Sequence, residues 1–259
     1  MTIRNTANRF TGRTALVTGA GSGIGRTTAL AFAAEGAHVV VAGRRREPLD
    51  ETVRLIEAQG GKALAVTADV ARAADVQALV DAAVDRFGSL DVAVNNAGVF
   101  RGGEPLAELS EDDWHTQLDI NVTGVFLALQ AEIRQMRTQP AGGAIVNIAS
   151  TFGVHSRHPG AAAYAATKAA VSVLTRGAAL DHIRDGVRIN AVSPGATDTP
   201  MSLDAGETEA DRAERVRAEL PLGRISATDE VAAAVLYLAS DAAASMVGTD
   251  LVVDSGATA

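Results

Sequence analysis

Thr18-Gly19-Ala20-Gly21-Ser22-Gly23-Ile24-Gly25 is the stretch whose reading decides the fold. It follows the aliphatic run Ala15-Leu16-Val17 and opens a segment, 24–35, with helical spacing that stops at Gly36. Glycine at a strand-to-helix turn lets the backbone bend sharply and approach a ligand, and the free N–H groups of a helix start favour negative charge. The stretch therefore predicts a pyrophosphate site, with Gly19, Ser22, Gly23, Ile24 and Gly25 as its contacts. Its spacing is wider than G-x-G-x-x-G, which from Gly19 would need glycine where Ile24 stands. A plain turn with incidental glycines is the alternative, and four glycines in seven positions weigh against it.

The same alternation continues outward. Val39-Val40-Val41 precedes helical spacing at 47–59, and Leu64-Ala65-Val66 precedes it at 75–87. Further aliphatic runs lie at 92–94, 144–148, 187–192 and 251–253, with helical segments at 113–136, 161–184 and 229–239. Ser110 and Asp113 read as a capping box. Continuous apolar strands separated by helices imply a parallel sheet covered on both faces. The predicted architecture is α/β: a Rossmann-type, doubly wound, seven-stranded parallel sheet with helices on both faces, in a single domain spanning 1–259. One long polar interruption, 197–223, reads as a substrate lid rather than a linker.

Composition narrows the classes. Hydrophobic residues make up 47% of the chain, enough for a large core. A net charge of −8 argues against general affinity for nucleic acid or anionic membrane. The absence of cysteine excludes disulfides, thiolate metal sites and a cysteine nucleophile. No apolar stretch suits a signal peptide or a membrane span, so the expectation is a cytoplasmic protein with no bound metal.

After the second strand the chain reads Gly43-Arg44-Arg45-Arg46, where NAD-binding folds carry a carboxylate for the ribose hydroxyls. Cations just before a helix start oppose the macrodipole, and a phosphate between them would remove the conflict. Arg44, then Arg45, are thus expected on a 2′-phosphate, so NADP(H) is expected over NAD(H), which stays possible.

Tyr164 and Lys168 lie one turn apart, on one helix face. The chain has two tyrosines and two lysines against twenty-one arginines. Such a pair at this spacing arises by chance in roughly one or two cases per hundred. A phenol with a free pKa of ~10 is a poor acid–base at neutral pH, and a neighbouring ammonium favours its phenolate.

The glycine stretch, Asn95-Asn96-Ala97-Gly98 and Tyr164-x-x-x-Lys168 together resemble the short-chain dehydrogenase/reductase family, in its shorter branch, over residues 12–256. The resemblance implies a set of site residues. Ser150, ending the fifth strand, would hydrogen-bond the substrate oxygen, and Tyr164 would be the acid/base. Lys168 would lower the tyrosine's pKa, and Asn121 would bend its helix and link Lys168 to a water chain. Cofactor contacts would come from Asp69 and Val70 at the adenine, and from Asn96, Ala97 and Gly98 beside the ribose. Tyr164 and Lys168 would touch the cofactor too, and Pro194, Gly195, Thr197 and Thr199 would form the nicotinamide-amide loop. A homotetramer is also implied, although Asp254-Ser255-Gly256 departs from the double glycine often found at that surface.

The expected function is NADP(H)-dependent interconversion of a ketone or aldehyde and an alcohol by hydride transfer, on a small-molecule substrate. The alternatives are a non-catalytic dinucleotide-sensing regulator and a related dehydratase or epimerase. Substrate choice would reside in 152–163 and 197–223. His155 and His158, three apart without a nearby carboxylate, do not make a metal site. Together with Arg157 they read as loop residues, or as contacts to an anionic substrate.

Overall fold

In the computed structural model, which describes residues 8–202 and 206–259, the aliphatic runs become seven parallel strands. The chain runs β1 (Thr14–Thr18), α1 (Gly23–Ala34), β2 (His38–Gly43), α2 (Arg46–Ala58), β3 (Lys62–Thr67), α3 (Ala73–Phe87) and β4 (Val92–Asn95). It continues through α4 (Glu111–Leu118), α5 (Gly124–Met136), β5 (Gly143–Ile148), α6 (Ala162–His182), β6 (Val187–Pro194), α7 (Glu209–Glu219), α8 (Thr228–Ala239) and β7 (Asp250–Val253). Strand order is 3-2-1-4-5-6-7, the predicted doubly wound sheet. The order reverses between β1 and β4, which opens a crevice at their carboxyl ends.

Every residue of β1 and β4 is buried, as strands covered on both faces must be. One apolar layer packs Phe32 of α1, Leu49 and Ile56 of α2 and Val235 of α8 against the sheet. The other packs Leu79 of α3, Leu129 and Ile133 of α5 and Val171 of α6 on the opposite face. Fully burying one such side chain contributes about 1.5–3 kcal/mol. Arg188 of β6 holds the end of α8, donating to the carbonyls of Leu238 (2.8 Å), Ala239 (3.2 Å), Ser240 (3.1 Å) and Ala243 (3.2 Å). A cation at that terminus also complements the helix dipole.

In two segments the structure adds to the sequence expectation, giving the bend at Asn121 its form in one and a helix within the polar interruption in the other. The helical segment 113–136 contains a π turn at Asp119–Thr123, where the N–H of Gly124 reaches the carbonyl of Asp119. Asn121 in this turn is fully buried and is held by the backbone of Val99, as described below. The polar interruption 197–223 contains α7, capped by Thr208 and Asp211: Asp211 N donates to Thr208 Oγ1 (3.2 Å), and Thr208 N donates to Asp211 Oδ2 (3.1 Å). Residues 203–205 of this expected lid lie outside the described residues.

A buried polar chain crosses the sheet beneath the crevice. Asn95 Nδ2 donates to Glu132 Oε2 of α5 (2.9 Å) and to Asn147 Oδ1 of β5 (3.0 Å), and Asn147 Nδ2 donates to Thr175 Oγ1 of α6 (2.9 Å). Burial pushes the Glu132 carboxyl up to about 7, against the Asn95 hydrogen bond that pulls it down.

Candidate active site

The glycine stretch is built as a cradle that side chains would fill. Gly19 has φ +65°, and a Cβ there would lie 2.7 Å from Asn96 Nδ2. Gly25 opens the first turn of α1, and a Cβ on it would collide with Gly19 O and Asn96 Nδ2. Gly23, at φ +51°, faces the Thr199 methyl, 3.2 Å from where its Cβ would be. Ser22 is the N-cap of α1, and its hydroxyl makes no cap bond. The first turn of α1, with Ile24 and Gly25, therefore has backbone donors open to an anion.

Thr18, which heads the glycine stretch but is not among the expected contacts, fastens this turn to the loop after β4. Its Oγ1 accepts from Asn96 N (3.0 Å) and Ala97 N (3.1 Å), while Asn96 Nδ2 donates back to Thr18 O (2.9 Å). Its position at the carboxyl end of β1, beside the glycines, was the available signal. Asn96 thus holds the glycine turn through its Nδ2 and its backbone N–H.

A cleft of about 140 Å³ runs from this turn along the sheet edge and is lined by Gly19, Arg44, Asp69, Val70, Ala97 and Gly98. These six are among the expected cofactor residues. Asp69 is shaped by its own turn, accepting from Ala71 N at 3.1 Å. Arg44 and Arg45 are exposed, and neither pairs with a carboxylate among the described residues, whereas Arg46 pairs with Asp50 at 2.7 Å. Arg44 lines the cleft and Arg45 caps α2 beside it.

At the other end of the crevice stand Ser150, Tyr164 and Lys168. Ser150 follows β5, and its Oγ accepts from Phe152 N at 3.2 Å. Tyr164 stands beside Ser150; burial pushes its phenol up to about 12, and the Ser150 hydroxyl pulls it down. The Phe100 ring meets the Tyr164 ring edge-on at 5.3 Å. Lys168 Nζ is buried, donates to Ile148 O at 2.8 Å and lies 5.7 Å from the Tyr164 ring centre. Burial brings its ammonium down to about 8. Among the protein's own groups, desolvation therefore outweighs any lowering of the phenol by Lys168, so the tyrosine is protonated at neutral pH.

Asn121 reaches this group from the π turn. Its Oδ1 accepts from Val99 N (2.9 Å), and its Nδ2 donates to Val99 O (2.9 Å) and Thr167 Oγ1 (3.1 Å). A Cβ on Gly98 would lie 3.3 Å from Asn121 Oδ1 and 3.4 Å from Lys168 Nζ, so glycine keeps the space between them open. Pro194, Gly195, Thr197 and Thr199 border the site from β6: Thr151 N donates to Pro194 O (3.0 Å), and Thr197 Oγ1 donates to Gly195 O (3.0 Å). Gly195 is required, since a Cβ there would lie 2.6 Å from Asp254 Cβ.

The loop between Ser150 and Tyr164 is pinned at both of its histidines. His155 Nε2 lies 3.2 Å from Asp250 Oδ2, and the His158 ring stacks on Phe152 at 5.1 Å. Arg157 is exposed. At the chain's end Ser255 adopts φ +57°, the left-handed region a glycine would occupy without strain, and its hydroxyl bonds Ser226 at 3.1 Å.

Comparison with known proteins agrees with this geometry. A family model described as enoyl-(acyl carrier protein) reductase matches residues 19–258. A short-chain dehydrogenase/reductase of Aspergillus oryzae is 43% identical, over 95% of this chain and 94% of that one. The cis-4-hydroxycyclohexanecarboxylate dehydrogenase of Sinomonas cyclohexanicum is 44% identical, over 96% of this chain and 98% of its own. A short-chain dehydrogenase from Burkholderia cenocepacia J2315, solved in complex with NADP, superposes with a TM-score of 0.88 at 37% identity, covering 97% of this chain and all of that one. With its sheet order, glycine cradle and Ser–Tyr–Lys group, this chain belongs to the short-chain dehydrogenase/reductase family.

Proposed function

We propose that the protein is an NADP(H)-dependent oxidoreductase that interconverts a cyclic secondary alcohol and its ketone, with Tyr164 as the acid/base. The observation that carries this reading is the Tyr164 phenol beside Ser150 and the buried Lys168 ammonium, next to Gly98 of a glycine-lined cleft. Two further features support the finer parts. Arg44 faces the cleft with no carboxylate partner among the described residues, which suits a 2′-phosphate. Phe100, Phe152 and His158 offer flat surfaces around Ser150 and Tyr164, and one relative is named for a cyclohexane-ring substrate.

Gly19, Ser22, Gly23, Ile24 and Gly25 would hold the pyrophosphate, and Arg44 and Arg45 the 2′-phosphate. Asp69 and Val70 would meet the adenine, Asn96, Ala97, Gly98, Tyr164 and Lys168 the ribose end, and Pro194, Gly195, Thr197 and Thr199 the carboxamide. When bound, the nicotinamide supplies or accepts the hydride. Ser150 fixes the substrate oxygen with its hydroxyl. Tyr164 gives its proton to that oxygen in the reductive direction; an alkoxide is a far stronger base than this phenolate, so the transfer runs downhill. In the oxidative direction the phenolate must form first, so alcohol oxidation should gain with rising pH while reduction does not. Lys168 supplies positive charge beside the phenol, and Asn121 keeps the π turn and the Gly98 loop in register for proton replacement. Residues 197–223 serve as the substrate lid, and the chain works as a homotetramer in the cytoplasm.

A panel of cyclic ketones, open-chain ketones, aldehydes and an enoyl thioester, with NADPH and NADH in parallel, tests the reading. Loss of reduced-nicotinamide absorbance is expected with cyclic ketones and NADPH. Turnover only of the thioester, or of no carbonyl compound, contradicts it.

A further inference from the structure

Arg212 of α7 is buried, only 8% exposed, and its fork is committed to two acceptors. Nη2 donates to Asp198 Oδ1 at 2.8 Å, and Nη1 donates to Ser202 Oγ at 2.9 Å. A planar guanidinium serves two separated acceptors at once, which a lysine ammonium does less well. Asp198 itself is held by the backbone from the far side, its N–H donating to Ser226 O at 2.9 Å.

The neighbours of Asp198 lie against the glycine turn and the end of β6. The Thr199 methyl lies 3.2 Å from where a Cβ on Gly23 of the pyrophosphate turn would stand, and Thr197 Oγ1 donates to Gly195 O after β6. The three-residue segment 197–199 therefore spans the gap between the glycine turn and the strand edge beside Ser150 and Tyr164. A short bridge between Thr197 and Ser226 ties the segment on its far side, and the ion pair to α7 is the side-chain brace that holds it from the lid side.

We propose that Arg212 is a positioning residue: through Asp198 it holds segment 197–199 over the nicotinamide end of the cofactor cleft, so that α7 and the cofactor stabilise each other. This rests on the cofactor reading above. Its consequence is selective: only the nicotinamide half of the ligand should feel the brace, while the adenosine half, held by Arg44 and Asp69, should not.

Asp198→Asn is the decisive variant, because this side chain is 64% exposed and its loss does not open the core. Full-length protein is titrated by fluorescence with NADPH and with 2′,5′-ADP, which carries the adenosine and 2′-phosphate without nicotinamide. We expect Asp198→Asn to weaken NADPH at least fivefold, the low end of ordinary coupling between sites, and to leave 2′,5′-ADP within about twofold. Asp198→Glu should recover most of the NADPH affinity. Equal weakening of both ligands, or no change in NADPH, overturns the brace while the wild type still binds both. A wild type that binds neither ligand overturns the cofactor reading and the brace with it.

Discussion

Glu132 offers a quantitative test of how the sheet core under the cleft is balanced. It is 1% exposed, and its single hydrogen-bond partner among the described residues is Asn95, so no cation offsets its charge. Burial moves its carboxyl from the ordinary value of 4.5 to about 7. At 1.36 kcal/mol per pH unit, that shift corresponds to about 3 kcal/mol between the two protonation states. The folded chain binds the proton more tightly than the unfolded one, so stability falls as pH rises from the ordinary glutamate range through about 7, and is flat above it. Glu132→Gln keeps the volume and the acceptor for Asn95 Nδ2, and its new amide can meet Asn95 Oδ1, which has no partner. Urea unfolding of both proteins at about pH 5, 6, 7 and 8, with matching m values, reads the difference directly. The variant should approach wild-type stability at the acid end and exceed it by about 2–3 kcal/mol at the alkaline end. A difference that stays constant with pH, or one of opposite slope, refutes a buried, uncompensated carboxyl.

Two further predictions follow from the same structure. Replacing Gly43 by Asp and Arg44 by Ser should turn the kcat/KM ratio of NADPH to NADH over by about a hundredfold. One or two charge-assisted bonds are exchanged at about 1.5–3 kcal/mol each, and a Cβ on Gly43 meets nothing nearer than Leu49 Cδ2 at 3.5 Å. A wild type that already prefers NADH defeats the assignment of Arg44. Arg188→Leu should lower unfolding stability by about 2–4 kcal/mol, because the Leu238 and Ala239 carbonyls at the end of α8 lose their side-chain donor and those of Ser240 and Ala243 lose one of two. A loss under about 0.5 kcal/mol would mean that water serves those carbonyls equally well.

Local pattern carried most of the fold. The seven strands and the glycine turn were legible because burial on both faces demands unbroken aliphatic runs and because glycine spacing reports backbone approach. Tyr164 and Lys168 were legible for a related reason: one helical turn fixes their relation whatever surrounds them. What stayed hidden depends on contacts between distant segments. The bend at Asn121 was implied by the family resemblance alone, and the contact of its side chain with the Val99 backbone in the π turn at Asp119–Thr123 is what helical spacing cannot reveal. Thr18 acts on Asn96 and Ala97, and Glu132 is paired with Asn95 only once α5 lies on the sheet. The direction of the Tyr164 shift was hidden as well, since it is set by burial rather than by the adjacent ammonium. α7 does carry a local signal: Thr208-x-x-Asp211 is a capping pair in a stretch whose polarity reads as loop.

The account turns on one hydroxyl, and Tyr164→Phe removes it alone, keeping the ring against Phe100. The most direct measurement is turnover of this variant beside its NADPH dissociation constant. Turnover should fall about a thousandfold, within the ordinary range for losing a general acid, while NADPH affinity stays within about threefold. A variant that binds NADPH as the wild type does, yet keeps more than about a tenth of its turnover, would contradict the assignment of the proton to Tyr164.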